Sequence, residues 1–481
     1  MLRCLTLTAE ADSRKIEDIY VHRKWIDAVE VRLDLCEQAD EGFLARVLEA
    51  ARPLAVILTY RRQSDGGPRK LDEVQRLKTL TALLRQGVDY VDIEYGVAAA
   101  DLVRRAAETG TEVIRSLHDF DGVPLNMTAL IEEISAAGEI PKIACYPKSS
   151  VDVLKVMNTV TATAHIRKKI VLGMGGFGFF TRTAPLLCGS MLTFCAVGSR
   201  KGAPGQIGPA ELEQIYRVSA QDENTVYYGI IGNPVLHSKS PVLHNKWFEE
   251  QDLNAVYLPF QVDDVGLFMK LAKQIGLRGF SVTVPHKQSI IGFLDELDQA
   301  VQVVGSCNTV IRSGKGWRGS NTDYEGFLSP LRQRELLHPG DRVLVVGAGG
   351  VARTVVYALK ELGAEITIVN RTDARASALS EEFDVNWRGI SAGWDGSDED
   401  VPFQLVIQTS SAGMEPDTES DPLPAYRFRG SEIVYELIYA PAVTRFLRRA
   451  SEAGCMTISG SEMLQAQAVL QFEKFCRVFR S

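Results

Sequence analysis

The stretch that decides the fold of the first half is VLGMGGFGFF, residues 171–180, and it has a near twin in VLVVGAGGVA, residues 343–352. Each runs an apolar segment into glycines at dinucleotide-binding spacing: Gly173, Gly175 and Gly178 in one, Gly347, Gly349 and then Ala352 in the other. That spacing carries meaning only between a strand and a helix, with the right residues closing the next strand. The second run has this sequel. A helical pattern, ARTVVYALKELG, leads to the strand-like EITIVN, which ends on Asn370, Arg371 and Thr372. An acidic residue at that point would bind the ribose 2′-hydroxyl of NAD, whereas an arginine accommodates the 2′-phosphate of NADP. The first run lacks the sequel. Its next strand, MLTFCAVG, arrives early and ends in SRKGAPGQ, so 171–178 reads as a strand and its loop leading to Arg182.

Outward from that loop, residues 2 to about 217 alternate short apolar runs with amphipathic stretches. The strand candidates are LRCLTLT, AVEVRLDL, LAVILTYR, YVDIEY, EVIRSLHD, IPKIACYP, KKIVLGM and MLTFCAVG. Eight strands, each followed by a helical pattern, match the count and size of a (β/α)8 barrel. A doubly wound sheet is the alternative, but eight strands without long insertions favour closure. The polar SAQDENTVYYG, residues 219–229, marks a boundary near 222. Beyond it come YYGIIG, AVYLPFQ and GFSVTVP, and from residue 341 a β-α-β pattern: RVLVVGAGG, EITIVN, QLVIQT and EIVYEL. The fold class expected is α/β, a barrel followed by a two-lobed half with a Rossmann lobe. Its domains are 1–221, then 222–330 completed by a C-terminal helix at about 462–481, then 331–461. WDGSDEDVPFQ, residues 394–404, reads as an acidic loop.

A chain of 481 residues is long enough for two or three cores, and 45% hydrophobic with 24% charged residues is an ordinary globular mixture. A net charge of −8 gives no attraction to nucleic acid or to anionic membrane, so neither is expected as a partner. No apolar run approaches the roughly 20 residues of a bilayer span. The N-terminus enters a strand with no leader ahead of it, and the eight cysteines show no disulfide or zinc spacing. The expectation is a cytoplasmic protein with free thiols and no metal.

Barrel enzymes place their chemistry at the C-terminal ends of the strands. Those positions hold Glu30, Arg32, Arg61, Glu94, His118 and Lys142; Glu30, Arg32 and Asp34 alternate and are expected to share one face. A lysine inside a barrel is costly unless paired or neutral, and desolvation favours the free amine that an imine needs. His118 ends the neighbouring strand, close enough to move protons. The plainer alternatives are an ion pair of Lys142 with Glu94, and a loop hydrogen bond for His118. Several arginines at strand ends point to an anionic substrate such as a carboxylate.

The motifs EVRLD, LTYRRQSDGG, SLHDF, PKIACYP and KGAPGQ, in that order over about 1–218, resemble type I 3-dehydroquinate dehydratase. The resemblance implies that Lys142 forms an imine with the substrate ketone, while His118 removes the adjacent proton and helps water leave. Glu30, Arg32 and Arg61 would bind hydroxyls, Arg182 a carboxylate, and Gln206 would belong to a lid. Two positions depart from the family pattern. Asp65 stands where glutamate is usual in support of His118, and Gly202 where a serine usually precedes APGQ.

In the second half, IGNPVLHSKSP offers Ser238 and Ser240, SVTVPHK offers Thr283 and Lys287, GSCNTV offers Asn308, and SNTDYEG offers Asp323. A lysine beside an aspartate forms a proton-transfer pair suited to ketone reduction by a nicotinamide. His237, His244 and His286 have no ligand spacing and read as bystanders. This set resembles shikimate dehydrogenase over about 226–481. The likeness implies Lys287 and Asp323 as the catalytic pair, with Ser238, Ser240, Thr283, Asn308, Tyr439 and Gln467 around the substrate. It implies NADP held by Gly347, Ala348, Gly349, Gly350, Val351, Asn370, Arg371 and Thr372. QTSSAGM would line the nicotinamide side; Gln408 stands where asparagine is frequent.

Together the two likenesses imply dehydration of 3-dehydroquinate to 3-dehydroshikimate and reduction of the latter to shikimate with NADPH. The competing readings are a class I aldolase-like barrel joined to another NADP oxidoreductase, and a catalytically silent ligand sensor of the same architecture. Retention of Lys142, His118, Lys287 and Asp323 speaks against the sensor.

Overall fold

The computed structural model of the protein describes residues 1–36, 40–68, 70, 72–198, 202–314, 316–390, 394, 396 and 402–480; the acidic loop at 394–404 lies largely outside them. Compactness divides the chain into two units, Met1–Pro285 and His286–Ser481.

The first unit opens with eight parallel strands. They are β1 (Leu2–Thr6), β2 (Ala28–Arg32), β3 (Ala55–Thr59), β4 (Tyr90–Glu94), β5 (Glu112–Asp119), β6 (Ile140–Cys145), β7 (Ile170–Gly173) and β8 (Leu192–Cys195). The ladder runs β7-β6-β5-β4-β3-β2-β1-β8, so the barrel is laddered at every seam except β7–β8. Side chains satisfy the backbone there. Ser190 Oγ accepts from Val171 N at 2.9 Å and donates to Val171 O at 3.0 Å, and Thr181 Oγ1 accepts from Gly173 N at 2.8 Å.

The interior is layered by the two-residue period of the strands. One layer is apolar: Cys4, Ala28, Ile57, Ile114, Ile140, Ile170 and Leu192 share a buried cluster. Two residues further along each strand the same face carries Thr6, Glu30, Thr59, Ser116 and Lys142, all buried. Asp92 follows Tyr90, which packs against that cluster, in the same way. The apolar layer excludes water from below, and the polar layer faces the mouth where barrel chemistry resides. Asp34 departs from the alternation expected for it. The strand ends at Arg32, and Asp34 lies in a 3-10 turn, Leu33–Leu35, that curls it back onto Arg32.

The first unit continues with β9 (Val226–Gly232), β10 (Ala255–Gln261) and β11 (Gly279–Val282), a parallel trio with β9 in the middle. The second unit begins with β12 (Glu296–Leu297), β13 (Thr309–Ser313) and β14 (Gly316–Ser320), of which β13 and β14 are antiparallel. These three did not show in the sequence, being short and partly exposed. A parallel sheet follows: β15 (Arg342–Val346), β16 (Glu365–Asn370), β17 (Asn386–Gly389), β18 (Leu405–Gln408), β19 (Ile433–Glu436) and β20 (Met456–Ile458). Its order, β17-β16-β15-β18-β19-β20, reverses between β15 and β18 and so makes the switch point of a Rossmann sheet. The last helix, Gly460–Phe479, packs on the helix Thr322–Gln333 at Gly326, where a Cβ would stand 2.6 Å from that of Gln467.

Candidate active sites

In the barrel the polar layer forms one connected network. Lys142 Nζ donates to Asp92 Oδ2 at 2.7 Å and lies 4.2 Å from the centre of the Phe194 ring. The partner expected from the sequence, Glu94, is engaged elsewhere, with Arg61 at 3.4 Å and Arg76 at 3.0 Å. Asp92 also meets Arg61 Nη1 at 2.9 Å and accepts from Ser116 Oγ at 2.6 Å. Burial opposes ionisation of Asp92, but Arg61 and Lys142 outweigh it and hold the carboxyl well below the usual carboxylate range. Glu30 accepts from Thr6 Oγ1 at 2.9 Å and Thr59 Oγ1 at 3.0 Å, with its carboxylate 3.9 Å from Lys142 Nζ. Arg32 is held by both oxygens of Asp34, at 2.9 and 2.6 Å.

His118 stands across the β5–β6 ladder, where Ser116 pairs with Lys142 and His118 with Ala144. Its Nδ1 is buried without a hydrogen-bond partner. Burial, then the charges of Arg61 and Lys142, push the imidazole well below its ordinary value of 6.5, which keeps it neutral and able to accept a proton. Asp65 accepts from Arg62 Nε at 3.0 Å and from Ser64 Oγ at 2.7 Å, so its carboxylate is committed to its own turn. His118 stacks on Phe120, with ring centres 6.3 Å apart.

Arg182 is buried, yet among the described residues no carboxylate pairs with it. Its Nη2 donates to Pro204 O at 3.3 Å, Nε has no partner, and burial pulls the group down to about 10. An unpaired buried cation costs several kcal/mol, on the order of 3–5 by mutational precedent. Such a group suits an anionic ligand. Gln206 Oε1 accepts from Ala203 N at 3.0 Å, and a Cβ on Gly202 would lie 3.0 Å from both Thr6 Cγ2 and Gln206 Oε1. The lid loop is therefore packed around the glycine, with little room for the serine usual there.

The two glycine runs differ in what surrounds them. A Cβ on Gly173 would stand 2.5 Å from Gly178 Cα, and one on Gly178 would stand 2.3 Å from Gly173 C. These glycines let the turn pack on itself. Gly349 and Gly350, by contrast, have nothing within 4 Å, at the first turn of the helix Gly350–Glu361. Open amides at a helix N-terminus suit a pyrophosphate. Gly347 has φ +119°, and a Cβ there would meet Thr409 Oγ1 at 2.5 Å, so both conformation and space require glycine. Ala348 is half-buried and Val351 exposed beside it. At the end of β16, Asn370 Nδ2 donates to Thr372 O at 2.9 Å, while Arg371 and Thr372 are exposed. Gln408 accepts from Ser410 N at 2.8 Å and donates to Ala412 O at 3.0 Å, which shapes the QTSSAGM loop. These residues fit a dinucleotide with a 2′-phosphate.

In the second unit, Lys287 Nζ donates to Asp323 Oδ2 at 2.6 Å in a partly buried pair. Asp323 lies in the first turn of Thr322–Gln333, whose cap Asn321 accepts from Asp323 N at 3.1 Å. Asn308 Oδ1 accepts from Thr322 N and from Thr309 Oγ1, both at 2.8 Å; its Nδ2 lies 3.5 Å from Gln467 Oε1. Tyr439 is exposed. In the first unit, Ser238 Oγ accepts from Ser240 N at 3.2 Å at the start of the helix Ser240–Glu250, and Thr283 N donates to Ile231 O at 2.9 Å. His244 stacks on Tyr257 with ring centres 4.4 Å apart. Among the described residues no three of His, Cys, Asp or Glu cluster as metal ligands.

The sequence reading missed Asp92 and Ser116. A signal was present: each stands two residues from a residue it did name, Glu94 and His118, and the strand period puts such pairs on one face.

Residues 3–223 match the family described as type I 3-dehydroquinase. Residues 230–310 match the shikimate dehydrogenase substrate binding domain, and 332–391 match shikimate / quinate 5-dehydrogenase. The chloroplastic bifunctional 3-dehydroquinate dehydratase/shikimate dehydrogenase of Arabidopsis thaliana is 32% identical, over 98% of this chain and 82% of its own length. The chain belongs to the bifunctional 3-dehydroquinate dehydratase/shikimate dehydrogenase family. As in that family, the dehydratase barrel precedes the dehydrogenase half. The shikimate dehydrogenase (NADP(+)) of Pelobacter propionicus is 41% identical over 51% of this chain and 88% of its own. The solved shikimate 5-dehydrogenase of Listeria monocytogenes, in complex with shikimate and NAD, is 30% identical over 53% of this chain and 93% of its own, with a TM-score of 0.50. Two relatives that match the second half, those of Lysinibacillus sphaericus and Pelobacter propionicus, carry NADP(+) in their names. Among the described residues no helix is long and apolar enough to cross a membrane.

Proposed function

We propose that Lys142, His118 and Arg182 carry out the dehydration of 3-dehydroquinate, and that Lys287 and Asp323 carry out the reduction of 3-dehydroshikimate to shikimate with NADPH. The observation that carries the barrel reading is Arg182, a buried guanidinium that among the described residues has no carboxylate of its own, in the barrel that also buries the Lys142 amine. The substrate carboxylate neutralises Arg182, which sets the ketone against Lys142 Nζ. Neutral His118 takes a proton from the Lys142 ammonium, the freed nitrogen adds to the carbonyl carbon, and return of that proton expels the oxygen as water and leaves a protonated imine. The imine acidifies the adjacent carbon; neutral His118 takes that proton and returns one to the departing hydroxyl. Hydrolysis of the imine restores Lys142, for a net loss of one water. Asp92, 2.7 Å from Nζ, holds the nitrogen whenever it carries charge, as ammonium and as protonated imine.

In the dehydrogenase half the Lys287 ammonium, held by Asp323, donates a proton to the oxygen of the ketone as it becomes a hydroxyl. A bound nicotinamide supplies the hydride. Ser238 and Ser240 are small donors suited to the substrate carboxylate, and Asn308 and Gln467 to its hydroxyls. Thr283 and Tyr439 complete this set. Gly347 to Val351 with Asn370, Arg371 and Thr372 hold the dinucleotide, Arg371 selecting the phosphate. Neither reaction in this reading calls for a metal. The division is 1–221, 222–330 with the C-terminal helix, and 331–461. All eight cysteines are buried and free, which supports a reducing compartment such as the cytoplasm.

Borohydride added during turnover of dehydroquinate is expected to fix one substrate-derived mass on the peptide holding Lys142. An unmodified Lys142 under those conditions removes the imine.

A further inference from the structure

We propose that Phe260, a residue of the dehydrogenase half, is a positioning residue for the dehydratase reaction, because it fixes the turn of helix on which Arg182 stands. The proposal rests on the reading that Arg182 binds the substrate carboxylate.

The other arginines of the barrel mouth are fixed by charge. Asp34 grips Arg32 with both oxygens, and Arg61 is pinned by Asp92 and Glu94. Among the described residues, Pro204 O at 3.3 Å is the one hydrogen-bond partner of the Arg182 guanidinium, so its position follows from its backbone. That backbone is the short helix Phe180–Thr183, directly after the glycine turn Gly175–Gly178. One side rests on the barrel, where Thr193 Oγ1 donates to Arg182 O at 3.0 Å. The other side rests on β10. The Phe180 ring lies 5.3 Å from the Phe260 ring, both almost fully buried, and Phe260 is backed in turn by Phe268 at 5.6 Å. Beside it the Gln261 amide closes over the turn, near enough that a Cβ on Gly176 would stand 2.0 Å from Oε1.

This support comes from outside the barrel family, whose match ends at residue 223. The contact is also braced. Ser150 N, at the head of the helix after β6, donates to Asp263 Oδ1 at 2.9 Å, and Gln274 Nε2 donates to Thr161 Oγ1 at 2.9 Å. A glycine-rich turn is intrinsically loose, and displacing a group that holds the substrate carboxylate away from the reacting atoms weakens binding while leaving the chemical step in place. The dehydrogenase half thus completes the carboxylate clamp of the dehydratase.

The test is steady-state dehydration of dehydroquinate by the full chain. Phe260→Ala is expected to raise KM about tenfold with kcat within about twofold, since the amine, the base and their network are untouched. Phe260→Leu, a milder change, is expected to raise KM about threefold and keeps the test informative if the alanine variant is insoluble. Phe180→Ala should raise KM by a similar factor, and the double variant should add nothing further, as expected of one shared contact. An unchanged KM in the soluble Phe260 variants, or a fall in kcat at fixed KM, overturns the proposal. Arg182→Met separates the two levels: if it leaves KM unchanged, the reading of Arg182 itself fails; if it raises KM while Phe260 variants do not, only the present inference fails.

Discussion

The acidity of His118 is set by what it lacks. The family usually supports this histidine with a glutamate, but here Asp65 is one methylene shorter and is bound by Arg62 and Ser64. With burial foremost, and with Arg61, Lys142 and Arg32 outweighing Asp92, the imidazole stays neutral well below its ordinary 6.5. Since kcat/KM reports the free enzyme, the acid limb of the dehydratase profile is expected below pH 6.5. Asp65→Glu, which restores a longer carboxylate, is expected to move that limb upward. A pH profile of both proteins checks this, and a limb of the wild type above 6.5 contradicts it. Lys142 shows the complementary lesson. Its polar surroundings were legible in the sequence, yet its partner proved to be Asp92, because only the strand registers show which carboxylate of YVDIEY lies beside it.

At the scale of elements, the junction between β19 and the helix Arg445–Glu452 turns on one buried acid. Thr444 Oγ1 donates to Glu436 at 2.6 Å and also caps the helix by accepting from Leu447 N at 3.1 Å. Burial, only partly offset by the hydrogen bonds from Thr444 Oγ1 and Ile438 N, raises Glu436 from 4.5 to about 7. The folded state therefore holds a proton that the unfolded chain has already released between these values. Its stabilising contribution is full below pH 4.5 and is lost as pH rises through 7. Relative to Glu436→Gln, the wild type is expected to lose about 3 kcal/mol across that window. Urea midpoints of the two proteins at pH 5 and pH 8 measure it, and parallel behaviour sinks the idea. The element boundaries that sequence reading gave well are those with strong apolar runs, such as EITIVN and IPKIACYP. The strands β12, β17 and β20 escaped because they are two to four residues long, too short for an alternating burial pattern to mark them.

For the molecule as a whole, two separate chemistries on one chain predict separable losses. Lys287→Ala is expected to abolish NADPH oxidation by dehydroshikimate, by about 10²-fold or more, while dehydration proceeds as before. Wild-type protein given dehydroquinate and NADPH should accumulate shikimate, with NADH a poor substitute because Arg371 favours the 2′-phosphate. Loss of both activities in the variant contradicts independent sites. By itself the sequence determined the eight barrel strands and the β-α-β pattern around the second glycine run, and it offered candidates for the reactive amine, base and proton pair. Those properties are local: a period of two or 3.6, a residue type at a strand end, an arginine where the next strand closes. Tertiary structure decided the rest. It matched Lys142 to Asp92, left His118 Nδ1 and Arg182 Nε without hydrogen-bond partners among the described residues, and laid Phe260 against the turn that carries Arg182. Each joins residues dozens of positions apart, and such pairings follow from sheet register and packing, which no local pattern encodes.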